Sequence, residues 1–229
     1  MKRRTTPRVA FFTIGQSPRT DVVPEMVQEL GGNVRIDEYG ALDGLSDADI
    51  AGMAPQEGRY RFATRLADGR QVQLDSQAAE SRLEDLMRSV DDGRYDVLVP
   101  LCTGTAIAPM KTLVLEPQQI VDHALAGIAR HCRRIGILVP LASQLEAFHM
   151  VVELSCEIRL VHASPYESGA EKARDSFVRA GQALRDCDLI LMHCMGYSAW
   201  MRDVVAMTSG RPALLSNRIV SQLLSQTLT

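Results

Sequence analysis

"DVLVPLCTGT" (residues 96–105) and "DLILMHCMGY" (residues 188–197) follow one plan. In each, an aspartate opens a short apolar run, and a cysteine six residues later closes it at a small polar turn. An apolar run of this length between turn residues reads as a buried strand. Ligands of open parallel sheets bind beyond the carboxyl ends of the strands. Cys102 and Cys194 are therefore expected at equivalent ligand-facing positions of a repeated unit.

The repeat reaches further. "RVAFFTIG" (8–15) matches "RIGILVPL" (134–141) at an offset of 126 residues, and the same offset places Ser17 on Ser143. First strand to cysteine spans 94 residues in the first half and 60 in the second, so an insertion of 34 residues is expected, at about 43–76. Strands are predicted near 8–14, 34–39, 96–101, 112–115, 134–139, 156–162, 188–193 and 212–215. Helices are predicted over 18–30, 77–91, 105–111, 118–131, 143–153, 169–185, 198–208 and 217–227. Alternating strands and helices imply an α/β protein with mainly parallel sheets. Two pseudo-symmetric lobes are expected, 1–116 and 117–216, with a C-terminal helix (217–229) free to pack back on the first. A single doubly wound sheet is the simpler architecture; the matched Asp-to-Cys spacing and matched serines favour two lobes.

Within the insertion, "RYRFATRLADGRQVQLD" reads as a β-hairpin. A two-residue Asp-Gly loop would mix its faces. A three-residue loop, Ala67-Asp68-Gly69, pairs Phe62 with Leu74 and Thr64 with Val72, with Gly69 left-handed in a bulge. Such a hairpin can serve as a lid, as the contact of a homodimer, or as a plain surface feature.

Composition excludes several classes. Net charge is -3 and the isoelectric point about 6.0, so no basic field points to nucleic acid. The apolar run behind "MKRR" is too short for a signal peptide or membrane span. Five cysteines without C-x-x-C spacing fit a reducing cytoplasm better than a disulfide framework or a zinc site. Dinucleotide, P-loop, zincin and EF-hand motifs are absent. None of the three lysines, Lys2, Lys111 and Lys172, ends a strand as a pyridoxal phosphate site would require. No metal and no organic cofactor are expected.

Cys132, Cys156 and Cys187 fall at strand starts and read as small buried hydrophobes. Cys102 and Cys194 each precede a predicted helix, whose N-terminal N–H groups would lower a thiol pKa from about 8.5. Around them stand the candidate substrate-binding residues. Gly15, Gln16, Ser17 and Arg19 follow the first strand, and Ser17 with Pro18 reads as an N-cap and N1 pair. Pro24 would then kink that helix. Thr103, Gly104, Thr105, Met195, Gly196 and Tyr197 supply N–H and hydroxyl donors beside the cysteines, and Ser143 repeats Ser17. Capped helix N-termini are expected to converge on a small anion. His162 and His193 also end strands, and His193 reads as a packing residue behind the site.

Two facing cysteines suit one chemistry in particular. Inverting a carbon beside a carboxylate requires a proton to leave one face and return to the other. One acid–base group on each side, one thiolate and one thiol, meets that geometry, and fixed donors hold the enolate charge.

"TIGQSPRTDVVPEM", "TRLADG", "LEP" (115–117) and "LLSNRI" (214–219) resemble the AroM family over essentially the whole chain. That family in turn resembles the aspartate/glutamate racemase superfamily, which has two α/β lobes and one substrate-facing cysteine from each. Its first motif is of the type C-N-T-A, where this chain reads "CTGTA"; its second is often G-C-T-H, where this chain reads "HCMGY". Hydantoin racemases carry C-x-G at that point, closer to Cys194-Met195-Gly196. The resemblance implies a cofactor-independent isomerase of the racemase type, with a small carboxylate or hydantoin-like substrate. A decarboxylase or cis–trans isomerase using one cysteine, or a catalytically silent small-anion sensor, are the alternatives.

Overall fold

The computed structural model describes residues 6–31 and 34–228. The opening residues 1–5 of the expected first lobe and Thr229, the end of the expected C-terminal helix, lie outside the described residues.

Two parallel four-stranded sheets carry the fold. The first contains β1 (Arg8–Thr13), β2 (Arg35–Gly40), β5 (Val97–Pro100) and β6 (Leu113–Val114), in the order β2-β1-β5-β6. The second contains β7 (Arg134–Val139), β8 (Glu157–His162), β9 (Leu189–Met192) and β10 (Ala213–Leu215), in the order β10-β9-β7-β8. Read from the other edge, the second order repeats the first. Registers agree as well. Val9 pairs with Val97, and Ile135, 126 residues after Val9, pairs with Leu189. Val97 to Leu189 and Cys102 to Cys194 are the same step of 92 residues, so each cysteine stands five residues past an equivalent pairing.

Alternation of side chains along the strands builds three layers of core. Val9, Phe11, Val97 and Val99 from the first sheet and Ile135, Ile137, Leu189 and Leu191 from the second share one cluster. Between them lie α1 (Val23–Glu29), α4 (Pro117–Ala129) and α8 (Ser216–Thr227). Ala10, Phe12 and Leu98 face the other way, onto α3 (Ser76–Val90). Leu138, Ile190 and Met192 face α6 (Ala170–Ala183) and α7 (Ala199–Ser209). Each fully buried apolar side chain contributes about 1.5–3 kcal/mol. Helix α8 packs on both α1 and α4, returning the C-terminal segment to the first half.

Residues 43–76 hold a short helix that the sequence reading missed, α2 (Asp47–Gly52), and the antiparallel pair β3 (Arg61–Arg65) and β4 (Gln71–Asp75). Phe62 pairs with Leu74 and Thr64 with Val72, the register of a three-residue loop. Gly69 takes φ +92°, which favours glycine.

Three expected helices differ. The one expected from residue 18 starts at Val23, with Pro24 in its first turn rather than as an internal kink. Proline is tolerated there because the first N–H groups have no intrahelical partner. Ser17 caps nothing: its N–H and hydroxyl both donate to Asp43, at 2.8 and 2.6 Å. The segment 143–153 forms only one turn, α5 (Gln144–Ala147), and Ser143 makes no side-chain cap. Residues 105–111 form no helix. Distant carboxylates take their backbone donors instead. Ala106 N–H donates to Glu80, Ile107 N–H to Glu116, and Lys111 N–H to Asp91, each at 2.6 Å. Asp91 also accepts from the Thr112 hydroxyl at 2.6 Å.

Candidate active site

A cavity of about 40 Å³ lies beyond the carboxyl ends of β1, β5, β7, β8 and β9, with β3 over it. A cavity of this kind suits a small ligand. Cys102 and Cys194 both line it, and neither is in a disulfide. Of the other candidates, Arg19, Thr103 and Gly104 line it too.

The remaining candidates stand around the cavity rather than in its wall. Gly15 is pressed against the hairpin, where a Cβ would overlap Arg65 O and Thr64 Oγ1. Gln16 clamps the hairpin: its N–H donates to Arg65 O at 3.2 Å and its Oε1 accepts from Ala67 N–H at 2.9 Å. Thr105 is buried with its hydroxyl unpartnered. Ser143 is exposed, and its neighbour Gln144 lines the cavity instead. Met195 belongs to the central core. The buried Tyr197 hydroxyl donates to Ala163 O at 2.8 Å. Gly196 N–H donates to Cys194 Sγ at 3.4 Å.

The sequence reading missed much of the wall. The hairpin contributes Tyr60, Phe62, Ala63 and Thr64, and is tied across to the second half. Gln144 Nε2 donates to Arg61 O at 3.2 Å, and the Ser164 hydroxyl to Gln71 Oε1 at 2.7 Å. The loop after β8 contributes Tyr166, whose hydroxyl lies 4.0 Å from Cys194 Sγ and accepts from Arg19 Nη2 at 3.2 Å. Two glycines make these approaches possible. A Cβ on Gly104 would stand 2.6 Å from the Phe62 ring, and one on Gly196 would overlap the Tyr166 hydroxyl. Behind the second cysteine, Asn217 Nδ2 donates to Met195 O and Tyr197 O at 3.0 and 2.7 Å, fixing the turn from α8. Position past a strand end was the available signal for Tyr166; Asn217 lies in "LLSNRI", a stretch that carries the family resemblance but assigns no role.

Arg19 is the only arginine or lysine in the cavity wall among the described residues. It is buried and forms a two-armed pair with Asp21, at 2.9 Å on each arm, while Nη1 donates to Thr13 Oγ1 at 3.0 Å. Burial opposes its charge, but Tyr166 and Asp21 outweigh that and hold its pKa above the ordinary value.

The thiols contradict the expected activation by helix N-termini. No helix follows Cys102, and α7 starts five residues after Cys194. Burial pushes the Cys102 thiol far up, with the neighbouring Cys194 adding to it; Gly104 N–H and Arg19 pull down only in part. Burial pushes Cys194 up as well, against Gly196 N–H, Arg19 and Tyr166. Desolvation disfavours a thiolate more than these few donors favour it. Burial also raises Tyr60, to about 12. Among the described residues, no three His, Cys, Asp or Glu side chains converge as a metal site requires, and no helix is long and apolar enough to cross a membrane.

A family model described as AroM protein matches residues 9–228. No curated protein matches the chain in sequence. Solved structures do match in fold. A glutamate racemase from Bacillus anthracis superposes with a TM-score of 0.63 at 13% identity, covering 96% of this chain and 80% of that one. A liganded double variant of arylmalonate decarboxylase gives 0.60 at 16% identity, covering 97% and 92%. A maleate isomerase from Pseudomonas putida gives 0.57 at 12% identity, covering 97% and 92%.

Proposed function

The chain belongs to the AroM family, and from that premise we propose that it is a cofactor-independent isomerase of the racemase type. Its substrate is a small carboxylate or cyclic amide, and Cys102 and Cys194 exchange protons with opposite faces of the α-carbon. One observation carries this reading: two cysteines at equivalent positions of a repeated sheet line the same cavity. The structural neighbours act on small acids in racemisation, decarboxylation and cis–trans isomerisation, which supports the substrate class.

In this reading one cysteine enters as thiolate and takes the α-proton. The C–H electron pair moves into the enolate conjugated with the carboxylate. The opposite thiol then donates its proton to the other face, and the electron pair returns as a new C–H bond. The two cysteines end with their protonation states exchanged, set for the reverse direction. A buried thiolate is costly to form and correspondingly basic, which suits a weakly acidic C–H. Arg19 lowers that cost at both sulfurs and offsets enolate charge. The hairpin excludes water from the reacting carbon, and residues 1–116 and 117–216 act as the two lobes that close on it.

The test is a panel of small carboxylic acids and hydantoins incubated with the protein in D2O and followed by NMR. Enzyme-dependent exchange of the α-hydrogen with loss of optical activity supports the reading. Loss of CO2 or double-bond isomerisation without such exchange replaces it.

A further inference from the structure

Beside Cys194, the cavity wall carries an imidazole, His193, backed by a buried carboxylate, Asp122, and the proton exchange uses neither. Asp122 is fully buried on α4. One of its oxygens accepts from Gln118 Nε2 at 2.5 Å and from Val151 N–H at 2.9 Å. The other lies 3.0 Å from Nε2 of the buried His193. A carboxylate only accepts hydrogen bonds, so the ring nitrogen facing it carries the hydrogen. In the neutral ring, Nδ1 is then a bare acceptor. Phe148 packs edge-on against that ring at 5.1 Å, fixing its plane. His193 lines the cavity, and Nδ1 has no protein partner among the described residues.

The other polar groups of the wall are largely engaged. Arg19 is spent on Asp21, Thr13 and Tyr166. Gln144 is used at both ends, and the Thr103 hydroxyl donates to His193 O at 2.5 Å. The buried Thr64 hydroxyl is open, but a hydroxyl rotates to donate or accept. Among these wall side chains, the neutral ring of His193 is the one whose free polar atom can only accept.

We propose that His193, oriented by Asp122, binds a hydrogen-bond donor on the substrate, so that the substrate is a small acid or cyclic amide bearing O–H or N–H at or beside the reacting carbon. This deepens the function proposed above and rests on it. A plain diacid brings only acceptors to that nitrogen and leaves it unpaired. Sites that hydrogen-bond a substrate hydroxyl discriminate strongly against the analogue lacking it.

Binding and ring tautomer test this without turnover. The probes are two matched pairs, lactate with isobutyrate and malate with methylsuccinate, in which a methyl replaces the hydroxyl. With 15N-histidine-labelled protein, the free His193 ring should show hydrogen on Nε2 alone. At least one hydroxy acid should shift Nδ1 and bind about tenfold more tightly than its methyl partner. His193→Phe keeps a ring of similar size and carries no acceptor; in it the preference should collapse while the fold persists by circular dichroism. A hydrogen on Nδ1 in the free protein overturns the proposal. So does equal affinity within both pairs, an Nδ1 resonance that no hydroxy acid moves, or a preference that survives His193→Phe. Loss of racemisation with the preference intact would instead remove the proposed function and leave the acceptor in place.

Discussion

Arg19→Met separates the energetic role of the buried cation from its chemical one. The substitution keeps much of the side-chain volume but strands the Asp21 carboxylate, which retains only 16% of its side-chain surface. Breaking a buried pair from one side costs about 3–5 kcal/mol. Arg65 Nη1 lies 3.9 Å from Asp21 and compensates in part, which places the loss near the lower end, about 3 kcal/mol. In a chain of this size each kcal/mol moves Tm by roughly 2–4 °C, so the variant should melt roughly 6–12 °C below the parent. The pH dependence has a definite sign. In the parent, burial raises Asp21, but the Arg19 hydrogen bonds and charge overcome it and hold the carboxyl below its usual range. Its contribution to stability is therefore complete above about pH 4 and is lost only as pH falls through the lowered value. In the variant, only Arg65 and a backbone hydrogen bond still oppose burial, so the Asp21 pKa rises. The stability deficit is then full at pH 7 and shrinks toward pH 5, where the buried carboxyl takes up a proton. Urea unfolding at both pH values reads this directly. A deficit under 1 kcal/mol, or one that does not change with pH, refutes the electrostatic account. Arg19→Met with Asp21→Leu should recover most of the stability yet remain inactive; activity in that double variant would show that the cation is not needed for proton transfer.

Because burial raises both thiols, α-hydrogen exchange should climb about tenfold per pH unit above neutrality, as the thiolate fraction rises; a rate flat from pH 7 to 9 contradicts this. Gly196→Ala forces a methyl onto the Tyr166 hydroxyl, and should cost about 1–3 kcal/mol and slow exchange, checked by urea unfolding and NMR. Asp91→Asn should cost about 1–3 kcal/mol, measured the same way, because it disrupts the acceptors of Lys111 N–H and the Thr112 N–H and hydroxyl. Burial raises Asp91, but those donors hold it below its ordinary value, so its contribution is present above about pH 4 and fades as pH falls through the lowered pKa.

What was legible in the sequence was whatever repeats or alternates. The 126-residue step from Val9 to Ile135 and the shared spacing of Cys102 and Cys194 show in the strings themselves and reappear as strand register. The hairpin register was legible because only a three-residue loop keeps Phe62, Thr64, Val72 and Leu74 on one face. Contacts between distant segments were not legible. Ile107 and Met110 sit at helical spacing, yet the backbone donors of the segment go to Glu80, Glu116 and Asp91 outside it, and one of them, Lys111 N–H, is a donor that a helix there would use. Pro24 reads as a kink only if the helix begins at Ser17; Ser17 bonds Asp43 instead and the helix begins at Val23, which puts Pro24 in its first turn. Tyr166 lies in a loop without period. The thiol environment was read with the wrong sign because a local rule, the helix N-terminus, was applied where burial between two halves of the chain dominates.

The central claim, that Cys102 and Cys194 act as one acid–base group on each face, is tested most directly by Cys102→Ser and Cys194→Ser. Each purified enantiomer of a substrate is followed in D2O by proton NMR and chiral chromatography. Serine is far less acidic than cysteine, so interconversion should fall by ~10²–10⁴-fold in each variant. The surviving thiol should still wash out the α-hydrogen of one enantiomer, and the enantiomer it selects should be opposite in the two variants. Interconversion at the parent rate in either variant, or washout of the same enantiomer in both, contradicts the account.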